Sequence, residues 1–166
     1  MLSAGSHLCP PMSFLSTPNE PLSLGNIEAT RAAAAKLAAT LKDGDVVALT
    51  GTLGAGKTHF SAGLIAALGS DQHASSPTFS LVNVYRDTTP RVSHFDFYRI
   101  NSEHELLDLG WDDYLDEGGV VIVEWANKFP SMMPPNTQWF ELRPVDDSTR
   151  EIQRLAAAPE AFVDHD

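Results

Sequence analysis

Residues Gly44–Leu68 read GDVVALTGTLGAGKTHFSAGLIAAL, and this stretch decides the fold. An apolar run, Val46 to Leu49, leads into GTLGAGKT at Gly51–Thr58, and a segment of helical character then runs to Leu68 and stops at Gly69. Strand, glycine loop and helix in that order are what a phosphate-binding P-loop requires. Gly51, Gly54 and Gly56 open backbone conformations closed to residues with a β-carbon, so loop N–H groups can turn toward phosphate oxygens. The helix starting near Lys57 adds the positive end of its dipole. In this pattern Lys57 reaches the β- and γ-phosphates and the Thr58 hydroxyl ligates Mg²⁺.

Composition narrows the classes. The chain has 166 residues, 43% apolar and 20% charged, which suits one globular domain with a core. Acids outnumber bases 22 to 11, for a formal net charge of −11. That balance argues against a broad DNA, RNA or anionic-membrane surface and leaves room for a basic protein partner. The single cysteine, Cys9, excludes an internal disulfide and fits a reducing compartment. No apolar run approaches the ~20 residues of a membrane span, and the amino end lacks a signal-peptide pattern, so a cytoplasmic protein is expected.

Outward from the loop, the proline-rich residues 1–21 read as a flexible tail, in which His7 and Cys9 are too few to make a metal site. Asn26 caps an expected helix from Ile27 to Lys42, with Ala34, Leu37, Ala38 and Leu41 on one stripe. Phe79 to Arg86 and Val92 to Ile100 alternate and predict a hairpin. Alternation puts His94, Asp96 and Tyr98 on one face and Phe95 and Phe97 on the other. Ser102 to Glu105 is a capping box for a short helix that Gly110 and Trp111 end, with a further turn or two from Asp112 to Asp116. Val120 to Val123 is a strand buried on both faces, and Thr137–Arg143 with Thr149–Leu155 form a last hairpin. The expected domain spans residues 22–156, with a frayed tail over 157–166 and no second domain.

Two acids compete for the metal-holding position that nucleotide hydrolysis needs at a strand end beside the loop. Glu124 follows the apolar run in the Walker B manner, and Asp96 lies within HFDFYR. Thr78, in SPTF at Ser76–Phe79, stands where a switch loop senses the γ-phosphate. By residue type alone, Trp125 reads as a core aromatic and His94 as a packed or hydrogen-bonded imidazole. Asn127 and Lys128 begin like the guanine-reading motif of GTPases, but Pro130 replaces its aspartate, so ATP is expected over GTP.

The chain resembles the TsaE family, the bacterial ATPases of tRNA threonylcarbamoyladenosine synthesis. The resemblance covers roughly Ile27 to Arg154. It rests on Glu28 to Thr30, LGAGKT at Leu53–Thr58, SPTF, HFDFYR at His94–Arg99, Leu109 with Gly110, and Glu124 with Trp125. It implies an α/β fold: a single P-loop NTPase-like domain whose mostly parallel sheet carries added antiparallel strands, with helices on both faces. It implies that Leu53, Gly54, Ala55, Gly56, Lys57, Thr58 and His59 hold ATP, with Thr30 and Arg150 lining the pocket. Thr58 and Glu124 would ligate Mg²⁺, with Asp96 at the same site. Lys57, Asp96, Glu124, Thr78 and Trp125 would carry the chemistry, which yields ADP. The implied partners are TsaD- and TsaB-like proteins, with tRNA contacted only through them. The chain departs from the family pattern at Thr52, His59 and Asn127, which bears on hydrolysis rate more than on ATP binding.

Two other functions compete with this one. A small P-loop kinase or phosphotransferase needs an arginine-rich lid, and the arginines at 31, 86, 91, 99, 143, 150 and 154 form no such cluster. A nucleotide-binding regulator would keep the loop without turnover.

Overall fold

A computed structural model describes residues 13–162. Its helices are α1 (Ser13–Ser16), α2 (Ile27–Ala38), α3 (Lys57–Ala67), α4 (Glu103–Asp108) and α5 (Trp111–Asp116). Its strands are β1 (Leu22–Leu24), β2 (Val46–Thr50), β3 (Val82–Tyr85), β4 (Val92–Asp96), β5 (Val120–Glu124), β6 (Gln138–Pro144) and β7 (Arg150–Arg154). They form one sheet in the order β1-β7-β6-β2-β5-β4-β3. The four central strands, β6, β2, β5 and β4, run parallel. β3 adds antiparallel at one edge, and β7 then β1 at the other.

Parallel strands covered on both faces need continuous apolar sequence, and β2 and β5 supply it: every residue of both is buried. One face packs Val47, Leu49, Val120, Ile122 and Phe140 against α2, α3 and Phe14 of α1. The other packs Val46, Ala48, Val121, Val123 and Phe95 against Leu106 of α4 and Trp111 of α5. β4 is equally buried yet reads VSHFD, so three polar side chains enter the interior there.

Local expectations meet tertiary limits at several ends. Asn26 caps α2 by accepting from the Ala29 N–H at 2.8 Å. That helix stops at Ala38 rather than Lys42, where the Asp45 carboxylate takes the Lys42 N–H at 2.9 Å and turns the chain into β2. The hairpin forms but is shorter than its alternation suggests. A turn from the Leu81 N–H to the Pro77 carbonyl (2.6 Å) precedes β3, and the Tyr98 N–H bonds to Asp96 Oδ1 (2.8 Å) beyond β4. Ser102 accepts from the Glu105 N–H at 3.2 Å, while the Glu105 carboxylate takes the Asn101 N–H instead of that of Ser102. α4 ends at Asp108, just before Gly110, and the further turns expected from Asp112 form as α5, which begins one residue earlier at Trp111.

The expected tails need correction where they are described. Phe14 is buried beside Phe140, with ring centroids 6.4 Å apart, and the Asn19 N–H donates to the Arg154 carbonyl at 2.7 Å. Residues 13–21 are therefore part of the domain, anchored by one aromatic too isolated to show periodicity. At the other end, the Phe162 N–H donates to the Asn127 carbonyl at 2.8 Å and its ring meets Trp125. His7 and Cys9 lie outside the described residues. No helix among the described residues is long and apolar enough to cross a membrane.

Candidate functional site

β2 delivers the chain to the glycine loop, and α3 leaves it at Lys57. Gly51, Gly54 and Gly56 all adopt positive φ, as a loop wrapped around an anion requires. Gly51 is also sterically obligatory, because a β-carbon there would collide with the Leu142 carbonyl of β6. Lys57 is buried, and its Nζ donates to the carbonyls of Gly51 (2.7 Å) and Thr52 (2.9 Å). The same ammonium lies over the Trp125 ring, 4.3 Å from its centroid. Burial pushes the Lys57 pKa down from 10.5 to about 8, against the opposing pull of the Glu124 and Asp96 carboxylates.

The parallel register sets Asp96 opposite Glu124 at the carboxyl ends of β4 and β5. Both are buried, at 3% and 2% exposure, so each must be hydrogen-bonded. Glu124 Oε1 accepts from Thr58 Oγ1 at 2.9 Å, and its Oε2 meets His94 Nε2 at 2.6 Å. Asp96 Oδ2 accepts from Thr78 Oγ1 (2.8 Å) and Ser76 Oγ (3.1 Å). The two acids thus have different retinues. Glu124 is joined to the glycine loop through Thr58, and Asp96 ties down the SPTF loop.

A cavity of about 810 Å³ opens over these groups. The residues expected to bind or act line it: Thr30, the loop from Leu53 to His59, Thr78, Asp96, Glu124, Trp125 and Arg150. Arg150 reaches in from β7 and donates from Nε to the Gly54 carbonyl at 3.1 Å. Trp125 belongs both to the core and to the cavity wall. It has a left-handed backbone (φ 60°), with Tyr98 5.0 Å away, centroid to centroid. Sequence reasoning missed Ser76, Tyr98, Asp147 and Ser148 as lining residues. Ser76 stood inside SPTF and could have been found there; Asp147 and Ser148 sit in a plain turn and carried no signal.

The donor set tests which ligands fit. Thr58, Glu124 and Asp96 offer only hard oxygens, which suit Mg²⁺. Among the described residues no group of three or more His, Cys, Asp or Glu side chains could hold a metal alone. A cation here therefore needs further oxygens, as from phosphates and water, and the adjoining loop and buried Lys57 suit a polyphosphate.

Comparison with known proteins follows the same lines. A family model described as "Threonylcarbamoyl adenosine biosynthesis protein TsaE" matches residues 24–152. The tRNA threonylcarbamoyladenosine biosynthesis protein TsaE of Bacillus subtilis is 40% identical over 127 residues, covering 76% of this chain and 79% of the relative. That of Rickettsia felis is 35% identical over 143 residues, covering 86% and 83%. The crystal structure of Bacillus subtilis YdiB superposes with a TM-score of 0.70 at 32% identity, covering 84% of this chain and 86% of that one.

Proposed function

This chain belongs to the TsaE family, and on that premise we propose that it binds ATP with Mg²⁺ and hydrolyses it to ADP in tRNA N6-threonylcarbamoyladenosine biosynthesis. The observation that carries the reading is the Thr58–Glu124 hydrogen bond of 2.9 Å. It puts the loop hydroxyl and the strand-end acid that would share a cation within reach of one another, beside a buried lysine.

In this reading Lys57 exchanges the carbonyls of Gly51 and Thr52 for β- and γ-phosphate oxygens. The backbone of Leu53 to His59 wraps the phosphates. Thr58 and Glu124 hold the cation, with Asp96 at the same site. Bound magnesium would supply charge neutralisation for the transferring phosphoryl group. Thr78 and Ser76 sense that site through Asp96. Trp125 walls it, and Thr30 and Arg150 line the rest of the pocket.

The net charge of −11 favours a protein partner over direct tRNA contact. TsaD- and TsaB-like proteins fit that role, with tRNA approached through them. Arg150 is the sole arginine lining the cavity among the described residues, whereas a phosphotransferase lid would bring several.

The test is ATP turnover with and without the two partner proteins, beside calorimetric ATP binding. Partner-stimulated turnover supports the reading. Binding without turnover in either state favours a nucleotide-dependent regulator. Failure to bind Mg·ATP refutes it, and phosphate transfer to a small acceptor would favour a kinase.

A further inference from the structure

We propose that His94 is a positioning residue that aims the Glu124 carboxylate at the cation site. The inference rests on the Mg·ATP reading above. His94 sits in the interior of β4 at 1% exposure, where an imidazole costs free energy unless it is hydrogen-bonded. Its Nε2 lies 2.6 Å from Glu124 Oε2, while its Nδ1 has no partner among the described residues. The ring hydrogen therefore belongs on Nε2, since a bare nitrogen lone pair at that distance would repel the carboxylate.

Glu124 is held from two sides. Thr58 on α3 donates to Oε1 and His94 on β4 donates to Oε2. The terminal torsion of a glutamate is soft, so a carboxylate held at one oxygen can rotate away. A cation would take lone pairs of Thr58 Oγ1 and Glu124 Oε1, and the His94 contact to Oε2 would keep Oε1 turned toward it. A donor behind a ligand commonly governs metal affinity in this way.

The experiment compares wild type, His94→Leu and His94→Gln; glutamine keeps an N–H donor at similar reach. Mn²⁺ affinity is measured by electron paramagnetic resonance on complexes with a non-hydrolysable ATP analogue, and metal-free analogue affinity by calorimetry. His94→Leu should weaken Mn²⁺ binding by about tenfold or more, with metal-free affinity held within about threefold, and His94→Gln should restore most of the loss. Equal Mn²⁺ affinity in wild type and His94→Leu overturns this inference alone, as does a glutamine variant no better than leucine. A wild-type complex that takes no metal overturns both this inference and the function beneath it. Should His94→Leu not fold, nitrogen-resolved NMR of the wild-type imidazole decides: hydrogen on Nε2 supports the contact, and hydrogen on Nδ1 overturns it.

Discussion

Lys57→Met gives the most direct test of how the site stores charge. In the folded chain Lys57 releases its proton near pH 8, whereas unfolded it keeps it to 10.5. Between those values the unfolded state binds more protons, so rising pH favours the folded wild type. Below pH 8 the ammonium is charged in both states and its burial cost is fully present. Methionine at this position does not titrate, so the difference between the two proteins isolates Lys57. Integrating from about pH 7 to about pH 9.5, the wild type should gain about 2 kcal/mol on Lys57→Met. Urea unfolding of both proteins at the two pH values measures this as the change in their stability difference. Curves that stay parallel to within about 0.5 kcal/mol would refute a desolvated ammonium. The same variant, and Lys57→Ala, should lose ATP-dependent stabilisation because phosphate charge is then left without its counter-cation. Retained micromolar ATP affinity in either would contradict the assignment of the site.

Other expectations follow from single contacts. Asp96→Ala leaves Ser76 Oγ, Thr78 Oγ1 and the Tyr98 N–H without their shared acceptor. It should cost about 2–4 kcal/mol and raise amide exchange across residues 76–80, read by mass spectrometry. Gly63→Val should lower stability by about 2–3 kcal/mol in a thermal melt, because a β-carbon there already lies 2.8 Å from Ala34 Cβ where α2 meets α3. Arg150→Ala removes an exposed contact to Gly54, so calorimetry should show ATP affinity reduced by only about three- to tenfold. Phe162→Ala uncovers one edge of Trp125, whose ring it meets at 5.7 Å. It should red-shift tryptophan emission while lowering stability by about 1 kcal/mol.

Much of the site was legible because its parts are local. The glycine loop, the capping Asn26, the apolar Val120–Val123 run and the HFDFYR alternation each declare themselves within a few residues. Three parts were not. α1 and β1 are too short to show periodicity and are held by Phe14 and by pairing with β7. Phe162 gains meaning only through Trp125 and Asn127, far back in the chain. Trp125 reads as a core aromatic by residue type and is placed at the site only through the family resemblance, because residue type cannot show that its other side walls the cavity.

Local sterics and side-chain periodicity depend on near neighbours, so from sequence alone one could place the phosphate loop, name both acids and recognise the family. The pairing of those acids depends on strand order and register, which long-range packing sets. Only the folded sheet puts Asp96 level with Glu124, sends Thr58 across 66 residues to one of them, and buries His94 against its other oxygen.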